Sequence, residues 1–234
     1  SFISTTHVEI DSTYEALGFA EDVNRDHWFW QRTGSPSRPD AGFASLVMPV
    51  VLPGVVTNEN DTAQIRLGMH SLTKSDSIDP DHYSIVRLED GPIVSEDRWD
   101  GQSDHIAEGS VPASVLSDTV RVILESPGDP SFPFEPVPYV DHVFFNWVTV
   151  SYPRRFEAVR GVLQFELDAE RQVSVDGFAS EAIRILNLDA AQKINGVAQA
   201  NGNAFGVQFE TQSQGRFVAI DETSIRAPSA ATVD

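Results

Sequence analysis

Val-Asp-His-Val-Phe-Phe-Asn-Trp-Val-Thr-Val-Ser-Tyr-Pro-Arg-Arg, residues 140–155, is the most informative stretch of this 234-residue chain. Aromatic and β-branched residues dominate it and glycine is absent, which is typical of a β-strand covered on both faces. Successive side chains of a strand point to opposite faces. The sequence therefore predicts Val143, Phe145 and Trp147 on one face, which we expect to be the core face of the sandwich, and Phe144, Val148 and Val150 on the other. Pro153 lacks an N–H group, so the strand should end or reach a sheet edge there.

Short strands are predicted on both sides of this stretch. Turn signals recur about every ten residues and no helical period exceeds about two turns, which is typical of an all-β protein. The predicted elements are strands at 2–11, 44–56, 63–72, 82–88, 93–99 and 119–125, a loop at 100–109 and a helical turn at 111–116. Five shorter strands follow, at 162–168, 172–178, 183–189, 205–211 and 216–221. We predict a jelly-roll β-sandwich over 1–155, a small Ig-like β domain over 156–226 and a linker at 227–234.

Acidic residues dominate the charge of the chain. Asp and Glu number 35 against 16 Lys and Arg, only Lys74 and Lys193 are lysines, and the formal net charge is −19. A field of this sign repels phosphate groups, which argues against nucleic acid and anionic membranes as partners. No apolar run approaches the roughly 18 residues of a membrane span, so we expect no membrane insertion.

The charge also predicts how stability depends on salt. Excess Asp with few lysines is typical of a halophilic protein, which stays soluble where salt screens its self-repulsion. We expect the melting temperature to rise from dilute buffer to molar KCl. If the chain is merely acidic, thermal melts across that range should instead show a flat or falling melting temperature.

The absence of cysteine excludes several kinds of site within this chain. Disulfides, thiolate metal sites and a cysteine nucleophile all require it. The chain begins at Ser1 without Met or a signal peptide, and it ends in a stretch rich in Ala, Pro and Ser. We interpret it as a piece of a longer polypeptide, with any targeting segment outside it.

The histidines do not form a recognisable catalytic or metal motif. Four of the six directly follow an aspartate, at 26–27, 81–82, 104–105 and 141–142. Adjacent strand residues face opposite ways, so such a pair is not a catalytic dyad. Ser103, Asp104 and His105 are consecutive and lack a G-x-S-x-G turn, so they do not indicate a hydrolase triad. No spacing matches a zinc motif, and we interpret the histidines as surface or capping residues.

Two groups of aspartates are candidate calcium ligands. They are Asp76, Asp79 and Asp81, and Asp97, Asp100 and Asp104. Calcium prefers oxygen-rich loops, although the EF-hand spacing with its glycine is absent. In so acidic a chain, clustered carboxylates also occur on an ordinary solvated surface. Both interpretations stay open, and no other cofactor is predicted.

Three tryptophans are candidates for carbohydrate binding. Trp28, Trp30 and Trp99 lie in or beside predicted loops, where aromatic rings of a sandwich can stack on sugar rings. The alternative is that these side chains fill the open ends of the hydrophobic core, which is the commoner fate of large aromatic residues.

The order of segments after residue 80 resembles a known family. A strand at 83–88 with an Asp90-Gly91 turn is followed by Trp99-Asp100-Gly101, by 111–116, by a strand at 119–124, and by the strand at 141–152 with Pro153-Arg154-Arg155. This order is similar to the non-catalytic region that precedes the catalytic domain in gingipain-like cysteine peptidases (clan CD, peptidase family C25) of the Bacteroidetes-type secretion system. There a jelly-roll sandwich, similar to galactose-binding-like modules, precedes a short β segment that resembles residues 161–165 through 217–219 here.

The resemblance, which covers roughly residues 80–222, implies a function and a location. It implies a non-catalytic structural or binding module of an extracellular or cell-surface protein, with a downstream peptidase domain of the same chain as its partner. The family's catalytic Cys and His belong to that domain, so no catalytic residue is assigned here. Two alternatives stay open: a carbohydrate- or calcium-binding module of a surface protein, with a glycan or another surface protein as partner, and a standalone hydrolase.

Overall fold

The computed structural model describes residues 1–15, 26–34, 45–127 and 141–225. It divides into two compact units, one formed by Thr5–Tyr152 and the other by Pro153–Asp234 together with Ser1–Ser4. Both are built from antiparallel β-sheets, which confirms the all-β prediction. The first unit ends at Tyr152, three residues before the end of the predicted sandwich, and the first four residues go with the second unit. Residues 227–234, predicted as a linker, lie outside the described residues.

Eleven strands lie wholly or mainly in the first unit. They are β1 (Phe2–Glu9), β2 (Thr13–Tyr14), β3 (Trp28–Phe29), β4 (Gln31–Gly34), β5 (Ser45–Val51), β6 (Thr62–Ser71), β7 (His82–Leu88), β8 (Ile93–Trp99), β9 (Asp104–Pro112), β10 (Thr119–Glu125) and β11 (His142–Arg154). One sheet has the order β1-β11-β6-β9, with β4 also paired to β11, and the other has the order β5-β10-β7-β8. Strands β2 and β3 form a separate ribbon.

The strand order is that of a jelly roll. Without the short strands β2, β3 and β4, eight strands remain, and in chain order they form sheets 1-8-3-6 and 2-7-4-5. The first strand thus pairs with the last and the second with the seventh, as two Greek keys wound together require. Alternate residues of both sheets meet in one core, which includes Met48, Ile65, Leu124 and Phe145.

A β-bulge in β11 reverses the predicted orientation of Trp147. The register of β11 against β6 shifts between Phe145 and Trp147, because Asn146 is inserted as an extra residue. Val143 and Phe145 therefore face the core together with Val148, Val150 and Tyr152. The prediction that Trp147 faces the core with Val143 and Phe145 was wrong, and so was the placement of Val148 and Val150 on the opposite face, because strict alternation holds only while the register is unbroken.

Most predicted strands of this unit are present, two segments differ from the prediction, and the short strands β2, β3 and β4 were not predicted. Residues 100–109 were predicted as a loop, but Asp104–Pro112 is β9 and pairs with β6 along its length. The strand predicted at 44–56 is shorter, Ser45–Val51, and is followed by a turn with Gly54 at φ 66°. The predicted helical turn is present as a 3-10 turn at Ala113–Val115.

The second unit is a smaller sandwich of seven strands. They are β12 (Val162–Leu167), β13 (Gln172–Phe178), β14 (Ile183–Asn187), β15 (Gln192–Ile194), β16 (Val197–Asn201), β17 (Ala204–Glu210) and β18 (Gly215–Asp221). The two sheets have the orders β12-β18-β14-β15 and β13-β17-β16. The first and last strands are paired here, whereas an immunoglobulin constant domain pairs the first strand with the second. Strands β15 and β16 were not predicted.

Aromatic residues form the centre of this second core. Phe165 contacts the rings of Phe2, Phe156, Phe209 and Phe217 at centroid distances of 5.3–6.3 Å. Phe2 comes from the N-terminus of the chain and is 8% exposed. The first residues of the chain therefore complete a core whose other members lie more than 150 positions later.

Candidate functional site

The three tryptophans predicted to bind sugars have different environments. Trp28 is 46% exposed on the β2–β3 ribbon and lies edge-on to Tyr14, with ring centroids 5.2 Å apart. Trp30 is partly buried and packs against the core. Trp99 is 9% exposed, and its ring is stacked between His82 and His105. These three residues therefore form no common platform.

The candidate calcium ligands are also spread over different environments. Asp76, Asp79 and Asp100 are exposed, and Asp97 lies 3.6 Å from the ring of His105. Asp81 is fully buried and accepts hydrogen bonds from the backbone N–H groups of Ser75 and Gly101. Among the described residues, no group of three or more His, Asp or Glu side chains is placed to hold a metal ion.

A buried histidine joins several loops at one end of the sandwich. His82, which is 0% exposed, faces Asp141 through Nδ1 at 2.6 Å. Its Nε2 lies 2.9 Å from the Thr73 carbonyl oxygen and 3.3 Å from Asp81. Asp141 also accepts a hydrogen bond from the Tyr83 backbone N–H. Both ring nitrogens thus face acceptors, and only the doubly protonated imidazolium can donate to both.

The charge balance around His82 favours this protonated form. Burial disfavours the imidazolium, but the hydrogen bond and charge of Asp141, the charge of Asp81 and the Thr73 carbonyl together raise the pKa of His82 above its ordinary value of 6.5. The interpretation of the histidines as surface or capping residues was therefore wrong for His82. Because this group is enclosed on all sides, it stabilises the fold and does not reach a substrate.

A surface groove with mixed chemistry lies on the outer face of the β11-β6-β9 sheet. Its volume is about 220 Å³. Its lining residues are Asp26, Phe29, Gly68, Met69, His70, Asp104, His105, Ile106, Asn146 and Trp147. Two neighbouring rows of cross-strand partners contribute to its lining: Trp147, Gly68 and Ile106 in one row, and His70 and Asp104 in the other.

The apolar part of the groove depends on the bulge and on one glycine. The bulge at Asn146 turns Trp147 onto the outer face, directly opposite Gly68. A Cβ atom at position 68 would overlap the indole ring of Trp147. The ring can therefore lie flat against the sheet only because residue 68 is glycine. Ile106, which is 45% exposed, continues the apolar surface on the next strand.

The polar part of the groove consists of carboxylates held by neighbouring side chains. Asp104 accepts a hydrogen bond from the nearly buried His70, with 2.7 Å between Oδ1 and Nδ1. Asp26 accepts one from the Asn146 side-chain amide at 2.9 Å and one from the Trp28 backbone N–H. An aromatic face beside oriented carboxylates suits a neutral ligand rich in hydroxyl groups.

The groove was not predicted from the sequence, and of its lining residues only Asp104 was named as a candidate ligand, for calcium. Trp147 was assigned to the core, and His70, Asn146 and Asp26 carried no functional prediction. One signal was available, because an isolated glycine within a strand indicates a bulge or a close approach of another group. Gly68 is such a residue. Asp104 pairs with His70, so Ser103-Asp104-His105 forms no triad.

The chain is similar in structure to part of a much longer protein. No family model matches it, and no curated protein matches it. It superposes on the crystal structure of dimeric latent PorU from Porphyromonas gingivalis, a gingipain-related protein, with a TM-score of 0.68 and 10% identity. The match covers 98% of this chain and 21% of the PorU chain, so this chain spans about a fifth of the length of PorU. At this identity, the likeness shows the fold.

Two further structures resemble the chain much more weakly. The infectious bursal disease virus VP2 subviral particle matches with a TM-score of 0.32 and 8% identity, covering 93% of this chain and 40% of that one. The CBM22 tandem domain of Paenibacillus barcinonensis Xyn10C matches with a TM-score of 0.26 and 10% identity, over 93% and 95% of the two chains. No helix among the described residues is long and apolar enough to cross a membrane.

Proposed function

We propose that this chain is a non-catalytic structural or binding module of an exported gingipain-like protein, placed before a peptidase domain of the same polypeptide. The observation that carries the proposal is the similarity to PorU over nearly the whole length of this chain at a TM-score of 0.68. The order of segments after residue 80 supports it independently. An extracellular or cell-surface location follows from the proposal, and so does the downstream domain as the principal partner.

The experiment that tests this context is to sequence the gene beyond the codon for Asp234. We expect an open reading frame that continues into a domain with a catalytic Cys and His. A stop codon there, or an unrelated downstream domain, would remove the peptidase context.

We expect the isolated chain to have no hydrolytic activity. Amide hydrolysis needs a nucleophile or an activated water, a base, and donors for the oxyanion. Cysteine is absent, and His82 and His70 are buried at 0% and 3% exposure with carboxylate partners. The purified chain is assayed on casein, on Arg- and Lys-directed peptides and on aryl glycosides. Turnover that survives repurification and disappears with one Asp or Glu substitution, as expected for a glycosidase-like pair, would contradict this expectation.

A second candidate function, binding of a neutral carbohydrate, is favoured by the groove. Trp147 offers an aromatic face for the C–H groups of a sugar ring, and Asp104 and Asp26 offer acceptors for its hydroxyl groups. The volume of about 220 Å³ is below the roughly 300–1,000 Å³ of typical ligand pockets, so we expect a single sugar unit to occupy it.

Variants in the groove test this second function. In calorimetric titrations with neutral oligosaccharides, Trp147→Ala and Gly68→Ala are both expected to weaken binding about tenfold or more, the second because its Cβ displaces the indole ring. Trp28→Ala is the matched control and should bind as the wild type does. Equal loss in the Trp28 variant, or no binding by the wild type, would exclude the groove as a sugar site.

A further inference from the structure

Strand β16 (Val197–Asn201) is an edge strand of the smaller sandwich. It pairs with β17 on one side, and no described strand pairs with it on the other. All five of its residues are exposed, and Val197 is 67% exposed. The N–H and C=O groups along the outer side of such an edge are available to pair with another strand.

The chemistry of this edge differs from that of the other described edges. Every other edge strand of three or more residues carries a charged residue or a proline: Glu9 in β1, Arg32 in β4, Pro49 in β5, Glu96 in β8, Glu108 in β9, Glu166 in β12, Asp176 in β13 and Lys193 in β15. Charges and prolines prevent edge-to-edge pairing. Residues 194–209, which contain the whole β16–β17 hairpin except Glu210, include no charged residue in a chain that is 22% charged.

We propose that β16 is a self-association site, at which two copies of this chain pair antiparallel and join their β13-β17-β16 sheets into one sheet of six strands. A two-fold axis through Gln199 would place Val197 opposite Asn201 of the second copy, and Ala198 opposite Ala200. The two sides of this pairing are identical, as a closed two-fold interface requires. No like charges meet in it, which would otherwise destabilise a cross-strand pair.

The charge of the chain favours a second copy at this position and makes the association dependent on salt. Two molecules of net charge −19 repel each other, so they approach most readily at an uncharged patch. The Debye length falls from about 30 Å at 0.01 M salt to about 3 Å at 1 M. The dimer should therefore be favoured in molar KCl and weakened in dilute buffer.

Sedimentation equilibrium of the whole chain in dilute and in molar KCl tests the proposal. We expect a monomer–dimer equilibrium that shifts toward dimer as the salt concentration rises. Gln199→Lys and Gln199→Glu are each expected to weaken the dimer by about fivefold or more, because the symmetry places the two new charges opposite each other. Leu188→Lys, at an exposed turn position of the same unit, is the matched control and should associate as the wild type does.

Mixing the two charged variants gives the sharpest result. At the lowest salt concentration at which the wild type associates, an equimolar mixture of Gln199→Lys and Gln199→Glu should form a heterodimer, because opposite charges then meet at residue 199. A wild type that stays monomeric at every salt concentration would overturn the proposal. A wild-type dimer with no restoration in the mixture, or a dimer weakened equally by Leu188→Lys, would also overturn pairing through β16.

Discussion

Asp141→Ala is expected to lower the free energy of unfolding of the Thr5–Tyr152 unit by about 3–5 kcal/mol, because it leaves the His82 imidazolium buried without its nearest anion. The 2.6 Å contact between Nδ1 and Oδ1 is fully enclosed, so water does not replace the lost carboxylate. The same substitution removes the acceptor of the Tyr83 backbone N–H. Chemical denaturation followed by tryptophan fluorescence measures the loss, since all four tryptophans belong to this unit.

The wild type should also lose stability as the pH rises. A folded-state pKa above the unfolded value of about 6.5 means that the stabilising contribution of His82 is fully present below pH 6.5 and is lost as the pH rises through the folded pKa. In Asp141→Ala this alkaline loss should be smaller, because Asp141 contributes most to raising the pKa of His82.

The control for this prediction is Asp76→Ala, which removes an exposed carboxylate from the loop before β7. It should change the free energy of unfolding by less than about 0.5 kcal/mol. Two results would show that His82 does not stabilise the sandwich as an imidazolium. One is that Asp141→Ala changes the free energy of unfolding by no more than Asp76→Ala does. The other is that the wild type is equally stable below pH 6.5 and at alkaline pH.

The parts of the fold that the sequence predicted well are those decided by local patterns. β7, β8 and β10 have the predicted bounds, because alternating side chains and turn residues lie within each segment. β9 was missed because its core-facing positions include His105 and Gly109, which give little hydrophobic alternation. Gly109 is required there, since a Cβ atom would overlap the Val94 carbonyl of β8.

The features that depend on distant residues were not predictable in this way. His82 is paired with Asp141, 59 positions away, although Asp81 is its neighbour in sequence. Nothing local indicates that partner, because the pairing arises where the residue before β11 meets the first residue of β7. The groove was hidden for a different reason: one inserted residue, Asn146, moves Trp147 from the core to the outer face.

Phe145→Ala and Trp147→Ala are expected to differ strongly in their effect on stability, and this difference tests the bulge directly. Phe145 is 0% exposed and packs with Trp30 at 5.2 Å between ring centroids, so its truncation should cost about 3–5 kcal/mol. Trp147 lies partly exposed against Gly68 on the outer face. Its truncation should cost only about 1–2 kcal/mol, within the roughly 0.5–3 kcal/mol typical of single substitutions and below the cost of truncating a fully buried aromatic residue.

An unbroken strand would give a different result. With strict alternation, Phe145 and Trp147 share the core face, and both substitutions would cause the loss typical of a buried aromatic residue. Denaturant unfolding of the two variants, followed by the remaining tryptophans, separates these cases. Equal losses of more than about 3 kcal/mol would contradict the bulge and would also remove Trp147 from the groove, since a side chain in the core cannot contact a sugar.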